Sequence, residues 1–255
     1  MRRTSCVILV LSGFALPGAA QPAPAPEGAA AWKLKLGFSY LSTSGNTETS
    51  SAGFDAAFHR QRGAWALEGN AAALAATKRR RNTAESYNLH LRAKRRLGRK
   101  LKRAVQLTAG VRGERNRFAG IDARSVLDVS VAVPLVEKPS AKITLLAGLS
   151  WSREEPRGPR AVQDSFGGLA QVGGEGKLTP TSTWNSEVTY FPSFAHSEDY
   201  RVNGKLALQA ALNRHLALRL SCDVKYDHLP VKGFATTDTA TTASLVVQLG
   251  TDGSP

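Results

Sequence analysis

Apolar and polar residues alternate along most of this chain, beginning with residues 32–40. There, every second side chain is apolar or aromatic, and a lysine, glycine or serine lies between each pair of them. A β-strand directs successive side chains to opposite faces, so this period of two gives a strand one apolar and one polar face. The same pattern recurs in short segments almost to the end of the chain. It predicts an all-β protein.

The alternation divides into twelve predicted strands, of which the third, eighth and ninth are the weakest because they are rich in small residues. A soluble β-sandwich produces the same pattern, so alternation alone does not decide between a sandwich and a barrel. The predicted strands cover residues 32–41, 48–60, 64–76, 84–96, 101–115, 122–135, 141–153, 162–177, 183–191, 200–212, 215–228 and 237–249.

The connections between the predicted strands alternate in length. Short turns follow the even-numbered strands, as at residues 61–63 and 213–214, and mostly longer loops follow the odd-numbered ones, as at 192–199 and 229–236. Short turns at one rim and long loops at the other are typical of a transmembrane β-barrel. We therefore expect a single antiparallel transmembrane barrel of about twelve strands over residues 32–249, with both termini on the periplasmic side. The competing prediction is a soluble periplasmic β-sandwich that binds an acidic ligand.

The first residues have the features of an export signal. Arg2 and Arg3 precede a short apolar run at residues 6–16, and small residues follow it. This run is shorter than the ~20 apolar residues that a membrane-spanning helix needs. We expect residues 1–20 to be a cleaved signal peptide, 21–31 a Pro/Ala linker and 250–255 a polar tail. The expected location is the outer membrane of a Gram-negative cell.

The chain is strongly basic, with a formal net charge of +14 that falls by two when Arg2 and Arg3 are removed. A basic protein can bind nucleic acid, membrane surfaces or acidic partners, and export argues against nucleic acid. Only Cys222 remains after cleavage, so no internal disulfide is possible. We expect the partners to be outer-membrane lipid and lipopolysaccharide.

The polar face of each strand should line the interior of the barrel, because a charged side chain facing lipid costs about 2–4 kcal/mol at mid-depth. This places acids, bases and histidines together in the lumen. The lumen is then either structural, filled with ion pairs and water, or a narrow passive channel with a basic bias that passes small anionic solutes. The predicted lumen-lining residues are Asp55, His59, Glu68, His90, Arg92, Lys94, Arg112, Glu114, Arg124, Asp128, Arg219 and Asp223.

Arginines are concentrated in two of the predicted external loops. A guanidinium matches the oxygens of a phosphate group with two parallel hydrogen bonds, and the outer leaflet carries phosphates. The predicted lipopolysaccharide contacts are Arg79, Arg80, Arg81, Arg115 and Arg117. A solvated run of charge is the alternative.

Motifs for catalysis or metal binding are absent from the sequence. It contains no G-x-S-x-G, H-E-x-x-H or C-x-x-C pattern. We therefore predict no catalytic residue, no metal ligand and no cofactor, and a protein that is not an enzyme. A barrel-embedded hydrolase is the remaining alternative, in which His59 or His90 would act with Ser51 or Ser86 and with Asp55.

Several segments carry a family resemblance in the same order along the chain. Residues 40–49 read Y-L-S-T-S-G-N-T-E-T, residues 85–89 read E-S-Y-N-L, residues 117–122 read R-F-A-G-I-D, and 237–246 read T-D-T-A-T-T-A-S-L-V. Together they resemble the salt-induced outer-membrane protein family, a domain-of-unknown-function family numbered 481. The resemblance implies a Gram-negative outer-membrane barrel with no established activity. Such barrels commonly end on an aromatic residue that the barrel-assembly machinery reads, whereas residues 250–255 are a polar tail.

Overall fold

Twelve strands make up the fold in the computed structural model, which describes residues 31–43, 49–78, 81–97, 105–117, 119–159 and 161–251. Each strand pairs with the next in antiparallel orientation, and β12 pairs with β1, so the sheet closes into a barrel. The strands are β1 (Ala31–Thr43), β2 (Thr49–Arg62), β3 (Trp65–Lys78), β4 (Arg81–Arg96), β5 (Gln106–Asn116), β6 (Ile121–Lys138), β7 (Ala141–Pro156), β8 (Gln163–Lys177), β9 (Ser182–Pro192), β10 (Tyr200–Ala211), β11 (Leu216–Asp227) and β12 (Thr237–Thr251).

This architecture confirms the predicted all-β class, the antiparallel barrel and the number of strands. The sandwich alternative is wrong, because the strands close into one sheet. The bounds of the strands differ from the predicted ones mostly by one to three residues. The largest difference is in β5, which begins at Gln106 and not at 101, and β12 runs to Thr251, where it pairs with Trp32. The expected signal peptide lies outside the described residues, as does the expected linker apart from Ala31.

Apolar side chains are exposed on the outside of the barrel, and polar ones are buried inside it. Val129 is 58% exposed, whereas its neighbour Asp128 is 3% exposed. This inverts the arrangement of a water-soluble protein, where charged groups are almost never fully buried. It follows from closing a sheet whose strands each have one apolar and one polar face. Among the described residues, no helix is long and apolar enough to span a membrane.

The two ends of the barrel differ. The short-turn rim carries the connections after even-numbered strands, such as the tight turn at Gly63, whose φ of 58° lies in the left-handed region that favours glycine. The long-loop rim carries the connections after odd-numbered strands. In the β5–β6 connection only Phe118 lies outside the described residues, and the β11–β12 connection is described throughout. Of the connections described throughout, those after β2, β6, β8 and β10 have two to four residues and those after β9 and β11 have seven and nine, as the sequence predicted. The connection after β4, residues 97–105, has nine residues and not the short turn predicted after an even-numbered strand.

Candidate functional site

The polar faces of the strands meet inside the barrel, as contacts between strands that are not neighbours demonstrate. Arg92 of β4 donates a hydrogen bond to Gln171 of β8 at 3.2 Å, and Lys225 of β11 donates one to Asn88 of β4 at 3.0 Å. Arg219 of β11 pairs with Asp55 of β2. Because these strands do not pair with each other, their side chains can meet only through the interior.

Two arginines and one aspartate form a central cluster, defined here as Arg92, Arg112 and Asp128. The Arg92 Nη2 atom lies 3.5 Å from Asp128 Oδ2, and the Arg112 Nη1 atom lies 3.8 Å from Asp128 Oδ1. The Asp128 side chain is fully buried. The cluster therefore combines two positive charges with one negative charge in a region removed from solvent.

A glycine allows the central cluster to form. Gly110 of β5 lies between Arg92 of β4 and Asp128 of β6 in the strand register. A Cβ atom at Gly110 would lie 2.7 Å from Asp128 Oδ1, closer than real Cβ contacts come. The side chains of Arg92 and Asp128 thus meet over Gly110, where β5 has no side chain.

The substitution Gly110→Val should lower the free energy of unfolding by about 1–3 kcal/mol, because the new side chain would displace Asp128 from its position. The measurement is urea-induced unfolding of the refolded barrel, followed by the loss of its folded band in unboiled gels. Gly113→Val on the same strand is the matched control, since no atom lies within 4 Å of a Cβ placed there. Equal effects of the two substitutions would contradict this role of Gly110.

A second group of charges, the Arg124 network, lies nearer the long-loop rim and consists of Arg124, Glu114, Glu154, Asp227 and Lys225. The Arg124 guanidinium donates to Glu154 at 2.8 Å and to Asp227 at 3.0 Å, and lies 3.7 Å from Glu114. Lys225 donates to Glu114 at 2.7 Å. These bonds join β6 to β11 and β11 to β5, so at this level the lumen is no wider than the combined reach of two side chains.

The remaining predicted lumen residues form smaller groups. Lys94 pairs with Glu68 at 2.6 Å, and the same carboxylate lies 3.7 Å from His59. Asp223 lies 3.8 Å from Lys205. His90 is opposite Arg112 in the register of β4 and β5, and its Nε2 atom is buried without a hydrogen-bond partner among the described residues.

The interior encloses a cavity of about 180 Å³ between the central cluster and the Arg124 network. Five Lys or Arg side chains line it, against three Asp or Glu. The lining residues therefore carry a net formal charge of +2, five positive charges less three negative ones. The charged lining residues are Arg112, Arg124, Arg201, Lys205 and Lys225, with Glu114, Glu187 and Asp223.

Two residues that line this cavity were not predicted from the sequence. Phe191 of β9 lies inside the barrel, 6% exposed, and the guanidinium groups of Arg112 and Arg201 lie 5.0 Å and 5.7 Å from the centre of its ring. Arg201 also donates a hydrogen bond to Ser152 at 3.2 Å. The signal that could have identified Arg201 is its place two residues before Asn203 and four before Lys205, on the polar face of β10.

The mouth at the long-loop rim is crossed by the connection between β11 and β12, residues 228–236. Phe234 of this loop packs on Gly120 of the β5–β6 turn, where a Cβ atom would overlap its ring. These two connections lie on opposite sides of the ring of strands. Gly120 has a φ of 71°, so both its backbone conformation and the aromatic contact favour glycine.

The structure describes the predicted lipopolysaccharide contacts only in part. Arg79 and Arg80 lie outside the described residues, and for Arg81 only the backbone is described. Arg115 is opposite Tyr87, which is exposed on the outer face near the long-loop rim. Arg117 pairs with Glu85 at 2.9 Å.

The described part of the chain includes the serines and histidines of the hydrolase alternative. There, no hydrogen bond joins a serine hydroxyl to His59 or His90, and the Ser86 hydroxyl accepts one from Asn88 at 3.3 Å. No group of three or more His, Cys, Asp or Glu among these residues is placed to hold a metal ion.

Solved structures with a similar architecture include three outer-membrane proteins. An outer membrane channel from Pseudomonas putida F1 has a TM-score of 0.49 and 12% identity, with 91% of this chain and 100% of that chain covered. The NanC porin has a TM-score of 0.45 and 7% identity, with 85% and 97% covered. The translocator domain of the autotransporter NalP from Neisseria meningitidis has a TM-score of 0.39 and 12% identity, with 87% and 86% covered.

Sequence comparison gives a family but no characterised relative. No curated protein matches the chain by sequence. Residues 36–249, which include almost the whole barrel, match the family described as "Protein of unknown function, DUF481". This barrel, with its charged and partly filled lumen, therefore belongs to the DUF481 family.

Proposed function

We propose that the protein is a non-enzymatic outer-membrane barrel that acts as a narrow passive channel for small anionic solutes. The observation that carries the proposal is the cavity in the lumen, which five basic and three acidic side chains line. Anions gain from an excess of positive charge in a confined space of low dielectric constant, where electrostatic attraction is stronger than in bulk water.

The outer surface supports the location. Its exposed apolar side chains include Leu127, Leu149 and Leu218. Water-soluble monomers rarely expose apolar patches larger than a few hundred Å², whereas lipid covers such a surface. Closure of the sheet pairs the backbone N–H and C=O groups that edge strands would leave without partners, which is a requirement for any sheet in a bilayer. We place the barrel in the outer membrane of a Gram-negative cell, with the short-turn rim facing the periplasm.

The contacts across the lumen support a narrow passage. Bonds between Arg124 and Asp227, and between Lys225 and Glu114, connect opposite parts of the wall. A solute must pass beside these pairs or separate them. We therefore expect a small conductance rather than that of an open porin, which has 16 to 18 strands.

The experiment has two stages. First, protein from purified outer membranes is run on semi-native gels with and without boiling, and a folded barrel should migrate differently after boiling. Second, the refolded protein is inserted in planar bilayers, where it should give small current steps that are selective for anions. A soluble periplasmic protein without a heat-dependent shift would contradict the location. A folded barrel that conducts no ions would have a structural role and would contradict the channel.

The substitution Phe234→Ala should raise the open fraction of the channel about fivefold. A partly buried aromatic ring contributes about 1 kcal/mol, and we infer that its contact with Gly120 keeps the loop across the mouth. The measurement is the open probability in planar bilayers. Phe194→Ala is the control, because Phe194 belongs to another loop of the same rim and packs on Phe166 of the adjacent strand. An unchanged open probability in Phe234→Ala would contradict the loop's role as a cover.

We propose lipopolysaccharide as a partner at the long-loop rim, with Arg115 and Arg117 as the described contacts. Arg117 already pairs with Glu85, so its guanidinium would bind a phosphate only as part of a larger network. Lipopolysaccharide added to the refolded barrel should raise its thermal stability, and identical stability with and without it would contradict this contact.

Insertion by the barrel-assembly machinery is the proposed route into the membrane.

Two further proposals concern expression and processing. The resemblance of the first hairpin to salt-induced proteins suggests that the amount of this protein rises when external salt rises, which immunoblotting of outer membranes would measure.

Cleavage of the signal peptide predicts that the mature protein begins near Gln21. Amino-terminal sequencing of the protein from outer membranes would detect an uncleaved leader.

A further inference from the structure

Arg112 and Arg201 carry positive charge inside the barrel, and neither has a close carboxylate partner of its own among the described residues. The terminal nitrogens of Arg112 are buried without a hydrogen-bond partner, and its nearest carboxylate oxygen in an ion pair is 3.8 Å away on Asp128, which Arg92 shares. Within the described residues, no ion pair joins Arg201 to a carboxylate; its side chain bonds the Ser152 hydroxyl. Leaving buried donors and charges without partners is costly.

These two arginines come from distant strands of the barrel, β5 and β10, and both line the cavity. Their guanidinium groups lie 5.0 Å and 5.7 Å from the centre of the Phe191 ring. His90, whose Nε2 atom also lacks a partner, lines the same cavity. The lining of the cavity therefore combines two guanidinium groups, one imidazole and one aromatic ring.

The chemistry of these side chains suits the binding of a small organic anion. Guanidinium groups bind the oxygens of carboxylates and phosphates with two parallel hydrogen bonds, and an aromatic ring contacts the apolar part of a ligand. The cavity, at about 180 Å³, exceeds the ~150 Å³ of an engineered cavity that holds benzene. A ligand of one ring and one charged group is thus of suitable size.

We propose that Arg112, Arg201 and Phe191 form a discrete binding site for one small organic oxyanion, a carboxylate or a phosphate, inside the lumen. The proposal deepens the proposed function and rests on it, since a channel for anions would hold its solute here during passage. The bound oxyanion would supply the acceptors that the two guanidinium groups lack and would neutralise their charge. Its apolar part would lie against the Phe191 ring.

The test measures binding to the refolded full-length barrel in detergent by isothermal titration calorimetry. The probes are benzoate and phenyl phosphate, which differ in their oxyanion, and benzamide, which has nearly the shape of benzoate without its charge. We expect at least one anion to bind at least about tenfold more tightly than benzamide, because charge-assisted hydrogen bonds are lost with the neutral probe. The tighter anion identifies whether a carboxylate or a phosphate is preferred.

Variants then locate the site. Arg112→Gln and Arg201→Gln should each weaken binding of the preferred anion at least about tenfold, and Arg201→Lys should weaken it less because it keeps the charge. Arg153→Gln is the matched control, since Arg153 forms a half-exposed pair with Asp164 outside the lumen. Each variant is first checked for the heat-dependent gel shift of a folded barrel. Phe191→Leu removes the ring and keeps the charges of both arginines. A folded Phe191→Leu variant should bind the preferred anion more weakly, which tests the role of the ring independently of the charges.

The proposal is overturned if both anions bind no better than benzamide, or if the folded lumen variants bind as the unchanged protein does. Failure of the channel is a separate result. A barrel that binds the anion and conducts no ions would keep the binding site and contradict the proposed function. A barrel that conducts anions without binding either probe would keep the channel and contradict the site.

Discussion

The substitution Asp128→Asn should lower the free energy of unfolding by about 3–5 kcal/mol, the range expected when one partner of a buried ion pair is removed. Asp128 is fully buried and is the shared partner of Arg92 and Arg112. Asparagine has almost the same shape, so the loss would come from two buried guanidinium groups left without a counter-charge. The measurement is urea unfolding of the refolded barrel, followed by the folded band in unboiled gels.

Asp164→Asn provides the matched control for this prediction. Asp164 pairs with Arg153 at 3.4 Å, and both side chains are about half exposed. Such a pair contributes about 0–1 kcal/mol in water. If Asp128→Asn cost no more than Asp164→Asn, the central cluster would not stabilise the barrel as described.

The substitution Arg124→Gln should have the largest effect on ion selectivity. It removes the cation that contacts Glu114, Glu154 and Asp227. Of these three carboxylates near the long-loop rim, only Glu114 would keep an ion pair, with Lys225, among the described residues. One unit charge about 8 Å from a passing ion changes its energy by about 0.5–2 kcal/mol, depending on how much water fills the lumen. Chloride loses attraction and potassium loses repulsion, so the two effects multiply and the permeability ratio of chloride to potassium should fall at least about fivefold, which corresponds to about 1 kcal/mol or more.

Arg153→Gln makes the same chemical change at a half-exposed pair outside the lumen and should leave selectivity unchanged. The permeability ratios of both variants are measured from reversal potentials under the same salt gradient. Folding is checked beforehand by the heat-dependent gel shift, because removal of Arg124 leaves buried carboxylates in mutual repulsion. A folded Arg124→Gln barrel with unchanged selectivity would contradict the placement of this network on the ion path.

The strands could be predicted closely from the sequence because alternation is a local signal. β10, predicted at residues 200–212, runs from Tyr200 to Ala211, and β7 begins at residue 141 as predicted. The prediction for β5 was less accurate, since this strand begins at Gln106 and Val105 before it lies outside the strand. Loop lengths identified the barrel, because only a structure with two unlike rims requires short and long connections to alternate.

The partners of the lumen residues could not be predicted, because they come from strands distant in the chain. Arg124 and Asp227 are 103 residues apart, and Arg219 and Asp55 are 164 apart. Which residues meet depends on how the strands tilt and stagger around the barrel, and alternation does not fix that stagger. Phe191 was not predicted because only polar and charged side chains were expected in the lumen, whereas this aromatic ring lies inside the barrel beside two arginines.

Glycines on the inner face carry information that the sequence analysis did not use. Gly110 lies under the pair of Arg92 and Asp128, and Gly37 lies under the pair of Arg219 and Asp55. In both places a glycine within an alternating strand marks where side chains of other strands cross over its backbone. A glycine at a polar-face position, flanked in the register by an acid, is therefore a useful indicator of such a crossing.

The reversal potential of the unchanged protein in a planar bilayer, under a tenfold gradient of potassium chloride, tests the central claim most directly. The positive bias of the lumen predicts a reversal potential displaced toward the equilibrium potential of chloride, with small current steps. A displacement toward the equilibrium potential of potassium, or a folded barrel that inserts and conducts no ions, would contradict an anion channel in this lumen.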